Sequence, residues 1–313
     1  MLNQQPTPSD FNARLDACAR DIDALLTRLL GEQPESDEIA RPKRLIEAMR
    51  YAALAGGKKL RPFLMIEAAR LFDVPPARAL MAGAALECVH CYSLAHDDLP
   101  AMDDDDLRRG RPSLHRAFDE ATAILAGDAL LTFAFDLLAR DETHPDPAIR
   151  IALVAQLARA SGLGGMAGGQ MLDLAAEGRF AGEAAAESET EILALQAMKT
   201  GALLRFAPLA GAILGGASPE QRAALSRYGT ALGAAFQIAD DLLDVEGDAA
   251  TMGKAARKDA ASGKATLIGI LGVTAARARL AALVEKAAHA LEPFGARAGT
   301  LRQAAHFAAA RPK

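Results

Sequence analysis

Residues 11–30, FNARLDACARDIDALLTRLL, set Leu15, Cys18, Ile22, Leu25, Leu26 and Leu29 at the spacing that stacks side chains on one face of an α-helix. The same period returns along much of the chain. Runs of β-branched and aromatic residues are scarce, with 3 Tyr and no Trp, so strand signals are weak. The pattern predicts an all-α protein. Breaks are expected where Pro or Gly would stop a helix: 31–37 (GEQPESD), 73–76 (DVPP), 99–100, 111–112, 141–147 (DETHPDP), 215–219 (GGASP) and 247–253. About ten helical segments lie between them, and their short connections favour one bundle over two linked domains. We therefore expect a single domain over residues 1–313, with about 1–10 as a flexible N-terminus. No repeat of solenoid period is present.

Lys plus Arg number 35 and Asp plus Glu 40, a formal charge of −5, which argues against broad attraction to nucleic acid or anionic lipid. Any bound anion must be held by a local basic site. Cys18, Cys88 and Cys91 form no disulfide framework, and the CxxC spacing lacks the second pair that a zinc site needs. The start, MLNQQPTPSD, does not read as a secretory signal. Residues 121–138 contain Asp128 and Asp136, and residues 201–217 contain Arg205 and Pro208, so neither reads as a membrane span. A cytoplasmic protein without stable membrane insertion is expected.

The segment 96–111, HDDLPAMDDDDLRRGR, gathers Asp97, Asp98 and Asp103 to Asp106 beside three arginines. Two like charges about 4 Å apart repel by roughly 4 kcal/mol at an effective dielectric near 20, so a cation is expected among these carboxylates. The all-oxygen donor set selects a hard ion, and Mg²⁺ takes one or two carboxylates together with phosphate oxygens and water. A second cluster, QIADDLLD at 237–244, lies in an apolar helix. Asp240 and Asp244 are four apart and share a face with Gln237. Taken alone, either stretch could be a solvated acidic helix end; two on separate apolar helices suit a shared metal cluster. Asp105 and Asp106 fit a cap, or carboxylates that orient the arginines after them.

Residues 51–66, YAALAGGKKLRPFLMI, carry Lys58, Lys59 and Arg61 and no acid. Gly56 and Gly57 would let backbone amides approach an anion, although a glycine C-cap followed by surface lysines is the commoner pattern. His90 precedes Asp97 by two helical turns on the same face. Further cations follow at Arg108, Arg109, Lys199, Lys254, Arg257, Lys258 and Lys264, of which Lys199, beside Thr200, sits in an apolar run where a surface salt bridge is a poor explanation.

In order, GGKKLRP, ECVHCYSLAHDDLPAMDDDDLRRGRPSLH, GGQMLDL, MKTGALL, FQIADDLLDV and MGKAARKD with GKAT make the chain resemble the trans-isoprenyl diphosphate synthase family, and its bacterial farnesyl diphosphate synthases in particular. The match runs from about residue 40 to residue 268. The resemblance implies an orthogonal bundle of long antiparallel helices around a central cavity, usually in a homodimer. It implies three Mg²⁺ ions, with Mn²⁺ as an alternative, held by Asp97, Asp98 and Asp103 and by Asp240, Asp241 and Asp244. It puts Arg108, Lys199 and Lys254 on the allylic diphosphate and Lys58, Arg61, His90 and Arg109 on isopentenyl diphosphate. Oxygens near Lys199, Thr200 and Gln237 would stabilise the allylic cation, and Gln170 and Asp173 match a further motif facing the site.

In a helix rising 1.5 Å per residue, Tyr92 lies about 7.5 Å below Asp97, where a growing chain would descend. Relatives making the fifteen-carbon product commonly have an aromatic there, together with an insertion like Pro100-Ala101 in the first motif. Tyr92, with Ser93 beside it, is therefore the expected chain-length position; geranylgeranyl or geranyl diphosphate is the alternative product. A terpene cyclase lacks GGKxLRP and carries a different second motif, and a non-catalytic synthase subunit typically loses the aspartates, so both are remoter readings.

Overall fold

The computed structural model describes residues 8–180, 188–250 and 267–310. They form fourteen α-helices: α1 (Pro8–Leu29), α2 (Lys43–Ala53), α3 (Leu60–Arg70), α4 (Pro76–Asp97), α5 (Leu114–Ala117), α6 (Glu120–Ala139), α7 (Pro147–Ser161), α8 (Met166–Ala176), α9 (Glu189–Gln196), α10 (Ala202–Leu214), α11 (Pro219–Ala250), α12 (Leu267–Leu271), α13 (Val273–Ala290) and α14 (Gly299–Ala309). The all-α expectation holds. The strands among the described residues are β1 (Leu107–Arg108) and β2 (Arg111–Pro112), which pair antiparallel.

The helices fall into two compact units. The first carries α1 to α6, the start of α7, and Ile213–Gly216. Here α4 packs on α6, α3 and α1, and α2 packs on α6. The middle of α4 is apolar or small on nearly every side, as befits a helix buried all round. Its Gly83 lets Ile22 and Pro62 approach; an added Cβ would stand 3.3 Å from the Ile22 side chain. Ile22, Leu26, Phe63, Leu64, Leu86, Leu130, Leu137 and Leu138 are fully buried, each worth about 1.5–3 kcal/mol on transfer from water. The stripe of α1 is thus core, as its spacing predicted. Asp119 caps α6 by accepting from the Thr122 amide at 2.8 Å.

The second unit carries the rest of α7, α8 to α10 up to Ala212, and α11 to α14. Here α11 packs on α13 and α14, and Tyr228, fully buried, donates its hydroxyl to the Leu301 carbonyl at 2.7 Å. Ile192, Ile238, Leu242, Leu267 and Ile268 form a further buried cluster.

Most expected breaks are present, but the chain also turns at 54–59 and 162–165, and α11 runs through Gly247 to Ala250. A lone glycine costs a helix only about 1 kcal/mol, too little to end one by itself. By length and hydropathy, Glu120–Ala139 and Glu189–Leu214 would each suffice to cross a bilayer, contrary to the sequence expectation, since one or two charges do not disqualify a span. The second is mostly buried inside the protein, as a core helix is.

Candidate active site

In the first unit, chemistry collects at the C-terminal end of α4 and the loops beside it. The Asp103 amide donates to the Asp97 carbonyl at 2.8 Å, folding the DDLPAMD segment back on the helix end. Asp97 and Asp103 are half-buried, whereas Asp98 is buried and accepts on Oδ1 from Arg108, with Nε at 2.9 Å. Arg108 also lies 3.5 Å from Asp105, so that carboxylate does orient an arginine. Asp106 pairs with Arg116 at 2.5 Å.

A hairpin of two two-residue strands carries Arg108 at the end of β1 and Arg109 in its turn. The turn between them, Arg109-Gly110, has positive φ at both positions (53° and 73°), the twist a two-residue hairpin needs. Tyr51 on α2 pins the hairpin: its hydroxyl donates to the Pro112 carbonyl at 2.8 Å, and the Arg111 guanidinium stacks 4.2 Å from its ring centre. Arg109 reaches across to donate to the Gly56 carbonyl. Gly57 has a φ of +98°, which strains any residue with a Cβ, and its bare Cα lets the Arg109 guanidinium lie close.

Arg61 Nη1 lies 3.4 Å from His90 Nε2. Burial, then the charges of Arg61, Arg109, Lys59 and Arg108, hold the His90 pKa well below its usual 6.5, so the ring is neutral and accepts from Arg61. His90 thus orients a cation instead of adding one. Lys58 is exposed at the loop tip, while Lys59 is buried. Tyr92 is buried and meets His96 edge to face at 5.7 Å, and burial followed by the Asp97 charge pushes its phenol up to about 12. His96 Nε2 lies 3.0 Å from the Ile124 carbonyl. The Ser93 hydroxyl donates back to the His90 carbonyl at 2.9 Å.

In the second unit, Lys199 and Thr200 lie in a π-helical turn, Ala197–Gly201, a widening of the helix that often marks functional sites. Lys199 Nζ donates to Asp173 Oδ2 of α8 at 2.5 Å. The two backbones touch where Gly169 faces Lys199: a Cβ at Gly169 would stand 2.1 Å from the Lys199 nitrogen. Gln170, one residue on, is buried with neither amide atom hydrogen-bonded among the described residues. On α11, Asp241 accepts from Gln237 Nε2 on Oδ1 and from Gln196 Nε2 on Oδ2, both at 3.0 Å. Asp240 is half-buried and Asp244 exposed on the same helix. Lys254, Arg257, Lys258 and Lys264 lie outside the described residues.

Sequence reading thus found the charged groups but not their partners. The Lys199–Asp173 pair, the amide clamp on Asp241, the Arg108–Asp98 pair and the buried state of Lys59 were missed. Glycine was the available signal, since Gly57 and Gly169 each mark a close approach. Among the described residues, no group of three or more His, Cys, Asp or Glu side chains stands ready to hold an ion by itself. This donor chemistry suits Mg²⁺, which commonly takes one or two carboxylates and completes its shell with phosphate and water.

The first unit thus sets a glycine-flanked basic loop beside an aspartate-rich turn within an all-α fold. The chain belongs to the polyprenyl synthetase family, whose model matches residues 42–294. It is 43% identical over 285 residues to the farnesyl diphosphate synthase of Escherichia coli K12, covering 90% of this chain and 92% of that protein. The farnesyl diphosphate synthase of Geobacillus stearothermophilus is 40% identical, over 83% of this chain and 89% of its own length. An FPP/GFPP synthase from Zymomonas mobilis, solved without ligand, superposes with a TM-score of 0.85 at 42% identity, over 96% of this chain and 99% of that one.

Proposed function

We propose that this chain is a farnesyl diphosphate synthase: it condenses isopentenyl diphosphate with dimethylallyl and then geranyl diphosphate, acting in the cytoplasm as a homodimer. The observation that carries the reading is the placing of two opposite charges in neighbouring positions of one unit. Cations stand at the glycine loop and hairpin, and carboxylates at the end of α4. The first suits a bare diphosphate and the second a metal-bound one.

Asp97, Asp103, Asp240 and Asp244 would hold up to three Mg²⁺ ions, with Mn²⁺ as a substitute. Asp98 and Asp241 are already engaged by Arg108 and by two amides, and they would align their neighbours. Bound Mg²⁺ supplies Lewis-acid neutralisation of the departing diphosphate. Lys199 and Arg108 would add positive charge to that leaving group, as the resemblance implies for Lys254 too, and preorganised charge favours C–O cleavage. Lys58, Arg61 and Arg109 hold isopentenyl diphosphate with its double bond toward the allylic carbon. Oxygens of the π turn around Lys199 and Thr200, and of Gln237, stabilise the allylic cation. Attack of the double bond forms the new C–C bond, and a proton then leaves to the released diphosphate.

The buried Tyr92 ring favours a fifteen-carbon product over geranylgeranyl diphosphate. The test is incubation of purified protein with isopentenyl diphosphate and each allylic primer, with and without Mg²⁺, followed by sizing of the dephosphorylated alcohols. Fifteen-carbon alcohol formed only with metal is the expected result; metal-independent turnover, or none, would refute it.

A further inference from the structure

Among the cations of the glycine loop, Lys59 behaves unlike its neighbours. Its side chain has no exposure; Nζ donates to the Ala53 carbonyl of α2 at 2.8 Å and forms ion pairs with Glu87 Oε1 of α4 at 3.1 Å and Asp23 Oδ1 of α1 at 3.4 Å. One hydrogen bond and two ion pairs thus surround the buried ammonium, and its charge faces two carboxylates. Glu87 is itself buried and also takes the Cys91 thiol at 3.8 Å. The charge is compensated in place, which leaves Lys59 nothing to offer a phosphate.

The backbone at this point is unusual. Gly56, Gly57 and Lys59 all have positive φ, and Lys59 (φ 49°) is the N-cap of α3. A left-handed conformation is disfavoured for a lysine and persists only where its surroundings impose it. The three-way grip on Nζ is such a constraint, since it ties the start of α3 to α1, α2 and α4 at once. Two of the cations expected to meet isopentenyl diphosphate hang from this loop and a third is gripped by it. Lys58 precedes Lys59 in the chain, Arg61 follows by two residues, and Arg109 is held by the Gly56 carbonyl and packed against Gly57.

We infer that Lys59 is a positioning residue for the isopentenyl diphosphate site, a buried ammonium that locks the glycine loop through Glu87 and Asp23 so that Lys58, Arg61 and Arg109 converge on one diphosphate. This rests on the functional reading above and adds to it that a lysine within the basic motif acts without touching substrate.

The test uses Lys59→Met/Glu87→Gln, which removes both buried charges at similar volume and avoids stranding either one, and Glu87→Gln alone, which leaves Lys59 its other two partners. Each is assayed as full-length enzyme below its own unfolding midpoint, beside Lys58→Ala and Arg61→Ala. The expected result is a KM for isopentenyl diphosphate raised about tenfold or more in the double variant and less in Glu87→Gln, with the KM for the allylic primer unchanged. Lys58→Ala and Arg61→Ala should raise the same constant. A double variant that folds and keeps the parent's KM, or one that raises both constants equally, overturns the inference. If Lys58→Ala and Arg61→Ala also leave the KM unmoved, the fault lies in the functional reading itself, and the inference falls with it.

Discussion

Gly169→Ala should damage catalysis from a position that carries no reactive group. The added Cβ would stand 2.1 Å from the Lys199 nitrogen, 2.6 Å from its Cα and 2.7 Å from the Met198 carbonyl carbon, all of them backbone atoms without a rotamer to escape into. Ordinary contact begins at 3.4 Å, so α8 and the π turn must separate by about 1.3 Å. Overpacking of this kind costs about 1–3 kcal/mol, which corresponds to a Tm roughly 2–10 °C lower for a chain of this size. The larger effect falls on kcat, because the displaced atoms belong to Lys199 and Thr200, and a misplacement of about 1 Å costs on the order of 100-fold in rate. Steady-state kinetics with both substrates saturating, together with a thermal melt, read the two effects separately. A variant with the parent's kcat would refute the claim that the π turn places the leaving-group cation.

Other consequences follow from the same geometry. Lys199→Met removes the ammonium that pairs with the buried Asp173 carboxylate and should cost about 1.5–3 kcal/mol, the worth of a hydrogen bond to a charged group; Lys199→Met/Asp173→Asn should regain stability in urea titrations without regaining activity. His90 has its folded pKa depressed, so the unfolded chain takes up the proton first as the pH falls. The stability it supports is full above about pH 6.5 and declines below, by up to about 1.4 kcal/mol per pH unit, and denaturation midpoints across this range should lose that slope in His90→Gln. Tyr92→Ala opens the region beside His96 and should shift products beyond fifteen carbons; an unchanged product spectrum would count against a floor at that position.

The fold class was legible because 3.6-residue periodicity is a local property, and Leu15 to Leu29 display it without help from the rest of the chain. The aspartates and basic residues were legible for a similar reason, since charge clusters are costly unless used. What remained hidden depended on contacts distant in sequence. Lys59 looks like Lys58 until Glu87, 28 positions on, is seen to bury it. Asp98 looks like Asp97 until Arg108 folds back across a hairpin too short to carry a strand signal. The π turn at Ala197–Gly201 left no mark in the apolar period that surrounds it.

The account stands on carboxylates that act through a divalent ion on a diphosphate leaving group. Its most direct test is the Mg²⁺ dependence of diphosphate release by folded Asp97→Asn and Asp240→Asn. Loss of several kcal/mol of charge stabilisation predicts rates down by about a thousandfold or more in each, with a raised requirement for metal. Release at the parent's rate, with the parent's Mg²⁺ dependence, would contradict it.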